Sequence, residues 1–390
     1  MSAGSAETYA TVGYGGDEMS GEAKGRVQSP VVRSVASTIV DVLATGSVKV
    51  AEALSTPLVP ADFIDMFAPL RSGADLRGRV VAVHPETDGA RTVTIRPGRG
   101  WKGHRPGQYT RIGVEVDGVR LWRAYSITSP VTDRDTITIT VRAIPEGRVS
   151  NHVLRHLRAG ALIMLDQATG DFTLPSPPPE RVLFLTAGSG ITPVMGMLRN
   201  PPLPRDIVVV HSAPTPQEML FRDELRHLAA VGRLRLVERF TRDDGILPAD
   251  AIGTVVPDWQ ERETWACGPT AMLDAADEHW EAHGLADRLH TERFRARVVA
   301  VGDGGPATFA GSGITADGDA ATPLLDVGEA AGVLMPSGCR MGICFNCAVP
   351  LVEGSVRDLR TGQLTTATPE EPLLVQTCVS AAAGACTLSI

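Results

Sequence analysis

The chain has 390 residues, of which 43% are hydrophobic and 21% charged, and its formal net charge is −8. That composition describes an ordinary globular protein with room for two to four domains. The acidic balance argues against nucleic acid as a general partner, and no apolar run reaches the roughly 18–20 residues that a membrane-spanning helix needs.

Residues 1–29 are rich in Gly, Ser and Ala and are expected to form a disordered tail. They lack the basic start and apolar core of a secretory signal, so the protein is expected in the cytoplasm, where thiols stay reduced. Residues 30–72 are read as a helical N-terminal extension, because Val31 to Leu54 carries an amphipathic pattern. Its simplest role is a strap on the main body; the alternative is contact with a membrane surface or a partner.

From Leu76 the pattern alternates with period two. Gly78–Val83, Arg91–Ile95, Tyr109–Val114 and Asp135–Arg142 read as strands of a small antiparallel β-barrel over 73–178. Asn151–Leu157 reads as a short helix capped by Ser150. Three prolines at 177–179 mark a boundary. Beyond them the continuous apolar run Arg181–Thr186 has the character of a strand buried on both faces. Further strands at Asp206–Val210, Leu234–Glu238 and Glu263–Cys267, with helices at Gln217–Ala229 and Thr270–His283, predict a doubly wound α/β domain over 179–294. A last module covers 295–390. Between Gly73 and Pro178 there are 15 Lys and Arg against 10 acidic residues; from Arg295 onward there are 5 against 9. Two solvated surfaces would explain this, and so would a basic module that binds phosphates and docks an acidic electron carrier.

The cysteines are the most specific signal. Cys339, Cys344 and Cys347 lie in Cys-Arg-Met-Gly-Ile-Cys-Phe-Asn-Cys, and Cys378 follows after a long gap. This is the plant-type spacing for four thiolates around a two-iron, two-sulfur cluster, with Gly342 letting the backbone wrap closely. A zinc site would show two short Cys/His pairs, and here only one Cys-x-x-Cys exists. Cys386 reads as a small buried hydrophobe on a final strand.

Four other motifs carry candidate chemistry. Arg123-Ala-Tyr125-Ser126 ends a barrel strand; its guanidinium suits a pyrophosphate, though alone the tetrapeptide is also what a surface Arg beside a half-buried Tyr looks like. Gly147-Arg-Val149-Ser150 precedes a helix and offers free N–H groups to an anion. Gly188-Ser-Gly190-Ile-Thr192-Pro193 follows the apolar strand, but ends in Pro where a dinucleotide fingerprint has Gly. Cys267-Gly268-Pro269 ends another α/β strand, where a buried structural thiol is the plain alternative. Ligands of open α/β sheets sit outside the strand carboxyl ends, so these last two motifs are expected to line one crevice. Gly311-Ser-Gly313, with no strand before it, reads as a hairpin turn.

In this order the motifs resemble the ferredoxin–NADP reductase superfamily over about residues 73–390. The modular order resembles the reductase components of oxygenases and desaturases. Arg96-Pro-Gly-Arg-Gly-Trp101 and Trp122-Arg-Ala-Tyr-Ser are similar to actinobacterial reductases that serve fatty-acyl desaturases. The resemblance implies a multidomain fold: an antiparallel FAD barrel, a doubly wound NAD(P) domain and a β-grasp ferredoxin domain. It implies FAD, a [2Fe-2S] cluster on Cys339, Cys344, Cys347 and Cys378, and NADPH, with NADH the alternative. It implies that Arg123, Tyr125, Ser126, Gly147, Val149 and Ser150 bind FAD, with Ser126 near flavin N5. Gly188, Gly190, Thr192, Pro193, Cys267, Gly268 and Pro269 would bind the nicotinamide nucleotide, and Thr241 with Arg242 its 2′-phosphate. Ser126, Thr192, Cys267 and Phe294, the last covering the flavin face, would form the catalytic set. Electrons would run from NADPH through FAD and the cluster to an oxygenase or desaturase, in a monomer peripheral to the membrane only through its partner. Two rival readings are a non-catalytic FAD/[2Fe-2S] subunit of a dehydrogenase complex and a redox sensor.

Overall fold

The structure is a computed structural model that describes residues 68–71, 75–145, 147–294, 303–342 and 344–390. The expected tail over 1–29, and the helical extension over 30–72 apart from 68–71, lie outside the described residues. Among the described residues no helix is long and apolar enough to cross a membrane.

The alternating segments form one antiparallel sheet of six strands: β1 (Arg77–Thr87), β2 (Ala90–Pro97), β3 (Tyr109–Val116), β4 (Val119–Ser126), β5 (Ile137–Arg142) and β6 (Leu162–Leu165), in the order β4-β3-β6-β1-β2-β5. Their inward positions, among them Val80, Val93, Ile95, Ile112, Ile139 and Val141, close on one apolar core. Helix α1 (Arg148–Arg155) caps this core with Val149 and Val153 and packs against β3, β4 and β5. It begins three residues earlier than the expected Asn151. Ser150 is therefore not the cap: Gly147 is the N-cap, and Ser150 lies in the first turn with its Oγ donating to the Gly147 carbonyl at 3.2 Å.

The second sheet is parallel, with β7 (Arg181–Ala187), β8 (Asp206–Ala213), β9 (Arg235–Phe240), β10 (Glu263–Cys267) and β11 (Leu289–Glu292) in the order β11-β10-β7-β8-β9. Helices α2 (Ile191–Leu198), α3 (Arg222–Ala230), α4 (Thr241–Asp244), α5 (Ile252–Val255) and α6 (Thr270–Ala282) connect the strands. The continuous apolar text of β7 has a direct cause. Val182 and Phe184 pack into one core, Leu183 and Leu185 into another on the opposite face. The expected helix over Gln217–Ala229 is shorter: Pro216–Glu218 makes a 3₁₀ turn and α3 starts only at Arg222. The break falls at Phe221, whose φ is +54° and whose N–H donates to Glu86 Oε1 at 2.9 Å. A carboxylate of the barrel thus takes the amide that a longer helix would have bonded internally.

The third sheet holds β12 (Gly305–Phe309), β13 (Ile314–Gly318), β14 (Ala348–Asp358), β15 (Leu364–Ala367) and β17 (Ser380–Leu388), ordered β13-β12-β17-β14-β15, with β16 (Leu373–Gln376) paired to β14. Helix α7 (Leu324–Ala330) buries Leu324, Leu325 and Val327 against it. The β12–β13 hairpin turns through Gly311–Gly313, and Cys386 is buried on β17. A mixed sheet with one helix across it is the expected α+β module.

Candidate functional site

Strand order reverses between β7 and β10, so the carboxyl ends of these strands frame a crevice. Both expected loops meet there. A Cβ placed on Gly190 would stand 1.9 Å from the Cys267 carbonyl oxygen, so this approach admits only glycine. Thr192 and Pro193 are buried in the first turn of α2, and Thr192 Oγ1 donates to the Ser189 carbonyl at 2.9 Å. Helix α2 also packs against β4, which carries Arg123, Tyr125 and Ser126. The α/β loop and the barrel motif, far apart in sequence, therefore lie side by side.

The Cys267 thiol is buried, and burial together with Glu292 pushes its pKa well up, so it is a neutral group. Glu292 pairs in register with Cys267 across β10 and β11. Burial, and then the nearby Asp171, raise its carboxyl to about 7. Phe294 follows on the same segment and is 39% exposed. Glu292 had no motif to announce it, and the strand that it ends was not among those expected from the sequence.

On the barrel, Ser126 stands opposite Tyr109 and Arg123 opposite Ile112. Arg123 donates to the Trp122 carbonyl at 2.7 Å. Burial, with Arg340 beside it, lowers its pKa to about 10. Tyr125 lies against the barrel core, and burial raises its phenol. At the head of α1, Asn151 Nδ2 donates to the carbonyls of Ile144 and Gly147 at 2.9 Å each, and Ser150 Oγ accepts from the Ile144 N–H at 3.3 Å. These bonds fix the turn and leave the first-turn amides free of helix partners. A cavity of about 480 Å³ opens there between Ile144, Gly147, Arg148, Asn151 and Arg155. The Val149 side chain faces the core, so only its backbone can reach a ligand in this cavity.

Thr241 and Arg242 open α4 at the end of β9. Arg242 donates its N–H to the Pro214 carbonyl at 3.2 Å and forms an ion pair with Glu218 at 3.4 Å. Glu218 also binds Arg142 of β5 at 3.1 Å. Arg142 Nη1 lies 3.1 Å from where a Cβ would stand on Gly188. Beneath it His211 is buried, with Nδ1 bonded to Thr186 Oγ1 at 2.9 Å and burial holding its pKa near 4.

The four cysteines gather as two pairs. The Cys339 N–H donates to Cys344 Sγ at 3.2 Å, and the Met341 N–H to Cys339 Sγ at 3.3 Å. Cys347 and Cys378 form the second pair, and their contact brings the Cys347 thiol down to about 6 and raises that of Cys378. Gly342, at φ +75°, sends its amide to Cys378, while its carbonyl accepts from Arg360 and Gln376 at 3.0 Å each. Among the described residues no group of His, Cys, Asp or Glu is arranged around a single ion. Two thiol pairs with backbone N–H donors at the sulfurs fit a two-iron cluster instead, with two thiolates for each iron.

Arg111 on β3 reaches this loop. With the Asn346 amide oriented by its hydrogen bonds, its nitrogen donates to the Cys344 carbonyl at 3.0 Å and its oxygen accepts from Arg111 Nη1 at 3.2 Å. Arg111 also forms an ion pair with Asp166 and lies 5.7 Å from the centre of the Trp122 ring. Arg340, at φ +60°, binds Asp326 at 2.6 Å and Glu329 of α7 on the other side of the same loop. Sequence patterns named none of Arg111, Arg142, Glu218 or Glu292.

Comparison with known proteins agrees with this geometry. The description "Oxidoreductase FAD-binding domain" matches residues 101–174, "Oxidoreductase NAD-binding domain" 184–278 and "2Fe-2S iron-sulfur cluster binding domain" 307–383. The chain is 49% identical over 353 residues to an NADPH oxidoreductase of Mycobacterium tuberculosis, covering 88% of this chain and 91% of that one. It is 30% identical over 307 residues to the glycine betaine monooxygenase reductase subunit of Pseudomonas aeruginosa, covering 70% and 84%. Among solved structures, phthalate dioxygenase reductase matches with a TM-score of 0.56 and 20% identity, over 80% of this chain and 97% of that one, a likeness of fold.

Proposed function

The chain belongs to the ferredoxin–NADP reductase superfamily and carries a C-terminal 2Fe-2S domain, and from that premise we propose how its residues share the reaction. It is an NAD(P)H-dependent flavin iron–sulfur oxidoreductase, in which electrons pass from a nicotinamide nucleotide through FAD to the 2Fe-2S centre. When bound, the flavin supplies two-electron acceptance with one-electron release, and the cluster supplies single-electron carriage at about −400 mV, as plant-type centres do.

Our reading divides the chain into a flavin barrel over 73–178, a nicotinamide domain over 179–294 and a ferredoxin domain over 295–390. Arg123 and the first-turn amides from Arg148 to Ser150, presented by the Gly147 turn, hold the FAD pyrophosphate, with the Arg148 side chain adding charge. Tyr125 packs against the ribityl chain and ring, Ser126 offers its hydroxyl near N5, and Phe294 covers the ring face. Gly188, Gly190, Thr192 and Pro193 seat the nucleotide. Cys267, Gly268 and Pro269 line the nicotinamide side with a neutral thiol that admits an uncharged ring. Cys339, Cys344, Cys347 and Cys378 would supply the four thiolates that hold the 2Fe-2S cluster. Arg111 keeps the cysteine loop against the barrel. Its contact with Asn346 is the observation that carries the relay, because it joins the electron-receiving loop to the strand beside β4.

NADPH is the donor in this reading, supported by Arg242 at the end of β9 and by the name of the M. tuberculosis relative. The acceptor is an oxygenase or fatty-acyl desaturase, supported by the oxygenase reductase subunits among the relatives. Anaerobic titration with NADPH and, separately, NADH, followed in the visible range, tests the reading. The flavin band and the cluster band are expected to bleach together, and at lower concentrations of NADPH. Flavin bleaching with an unresponsive cluster, or the absence of iron on elemental analysis, overturns it.

A further inference from the structure

The mouth of the nucleotide crevice holds a carboxylate between two guanidinium groups. Glu218 lies in the turn Pro216–Glu218 after β8. Its Oε2 accepts from Arg142 Nη2 at 3.1 Å. Its Oε1 faces Arg242 Nη2 at 3.4 Å and accepts from Thr215 Oγ1 at 3.3 Å. The two arginines come from different parts of the fold. Arg142 ends β5 of the barrel and lies over Gly188, whereas Arg242 follows β9 of the parallel sheet. One negative charge thus ties together two positive charges across the entrance.

The two halves of this clamp differ in strength. Arg142 is the more buried of the two guanidiniums, while Arg242 is 69% exposed beside a Glu218 that is 36% exposed. Exposed ion pairs are weak, so an incoming anion can take Arg242 without breaking the Arg142 contact. Once it has done so, the Glu218 carboxylate stays near the new anion and repels it.

We propose that Glu218 is an internal anion that competes with the nucleotide 2′-phosphate for Arg242, and so sets how strongly the protein prefers NADPH over NADH. This rests on the assignment of Arg242 to that phosphate. Removing the carboxylate frees Arg242 and removes the repulsion, and a nucleotide without the 2′-phosphate gains nothing from either change.

The experiment compares the wild-type holoprotein with E218Q, measuring calorimetric binding of adenosine 2′,5′-bisphosphate and adenosine 5′-monophosphate at two salt concentrations. E218Q is expected to bind the bisphosphate several-fold more tightly, more so at low salt, and the monophosphate as before. KM for NADPH is expected to fall, the effect lying in KM rather than kcat. E218D, whose shorter side chain cannot span both arginines, is expected to lie between the two. Unchanged or weaker bisphosphate binding in E218Q overturns the inference while leaving the NADPH assignment in place. Bisphosphate binding no tighter than monophosphate binding in both the wild type and E218Q overturns both.

Discussion

The nucleotide crevice and the cysteine loop are built on opposite principles. The crevice is fixed by the parallel sheet beneath it, whose central strand is buried in two cores, and its walls touch through backbone at Gly190 and Cys267. Among the described residues the cysteine loop has no strand of its own between α7 and β14. It carries non-glycine residues at positive φ, Arg340 and Phe345, and is held by thiol and amide hydrogen bonds, by the ion pairs of Arg340 and by a hydrogen bond from Arg360 to the Gly342 carbonyl. Phe345 is 67% exposed there, so its side chain adds little hydrophobic burial to the loop. Such a loop depends on its metal in a way the crevice does not depend on its nucleotide. Scaffold rigidity carries one site, and cofactor bonds carry the other.

The largest effect that would sharpen this contrast is expected from C344S. Loss of one thiolate should lower nucleotide-driven cytochrome c reduction by about two orders of magnitude or more, because coordination and loop order fail together. Flavin bleaching by NADPH should persist. If both persist, the order of the relay is wrong. Next comes G190A, which forces a methyl into the Cys267 carbonyl. A cost of roughly 1–3 kcal/mol in stability, typical of overpacking, should appear in thermal unfolding with weaker nucleotide binding and an intact cluster spectrum. A smaller effect is expected from R111A. Ferricyanide reduction at the flavin should continue, while cytochrome c reduction through the cluster falls roughly three- to tenfold, as for loss of a charged contact that sets register. Equal loss of both would assign Arg111 to the barrel rather than to the junction.

The smallest effect is one of pH. Glu292 has its carboxyl raised from 4.5 to about 7 in the folded chain, so the folded state binds the extra proton. Its contribution to stability is complete below about pH 4.5, declines as pH rises towards about 7 and levels off above that. In E292Q the slope of unfolding free energy across that window should flatten. An unchanged slope would mean that the Glu292 carboxyl ionises in the fold much as it does in the unfolded chain.

Much of this was legible in the text of the chain. Alternation gave away β1, β2, β3 and β5, and the apolar run gave β7, because burial on one face or two leaves a periodic trace. Cys339, Cys344, Cys347 and Cys378 could be named from donor type and spacing. The start of α3 was not legible, since the residue that ends the expected helix, Glu86, lies 135 positions from Phe221. Nor was the start of α1, where a glycine turn rather than a hydroxyl sets the N-terminus. Arg111, Arg142 and Glu218 were silent for a similar reason. Each acts on a partner supplied by another module, and no local pattern marks such a pairing.

By itself, the sequence determined which chemical groups this protein offers: four thiols in two-iron spacing, glycine turns beside apolar strands, and an Arg-x-Tyr-Ser motif on a barrel edge. Only the tertiary structure decided which of them meet. It set Gly190 against the Cys267 carbonyl, Arg111 against Asn346, and Glu218 between Arg142 and Arg242. Donor identity is a property of a residue, whereas contact depends on how three independently patterned sheets pack, and that packing is a free-energy minimum of the whole chain rather than of any segment.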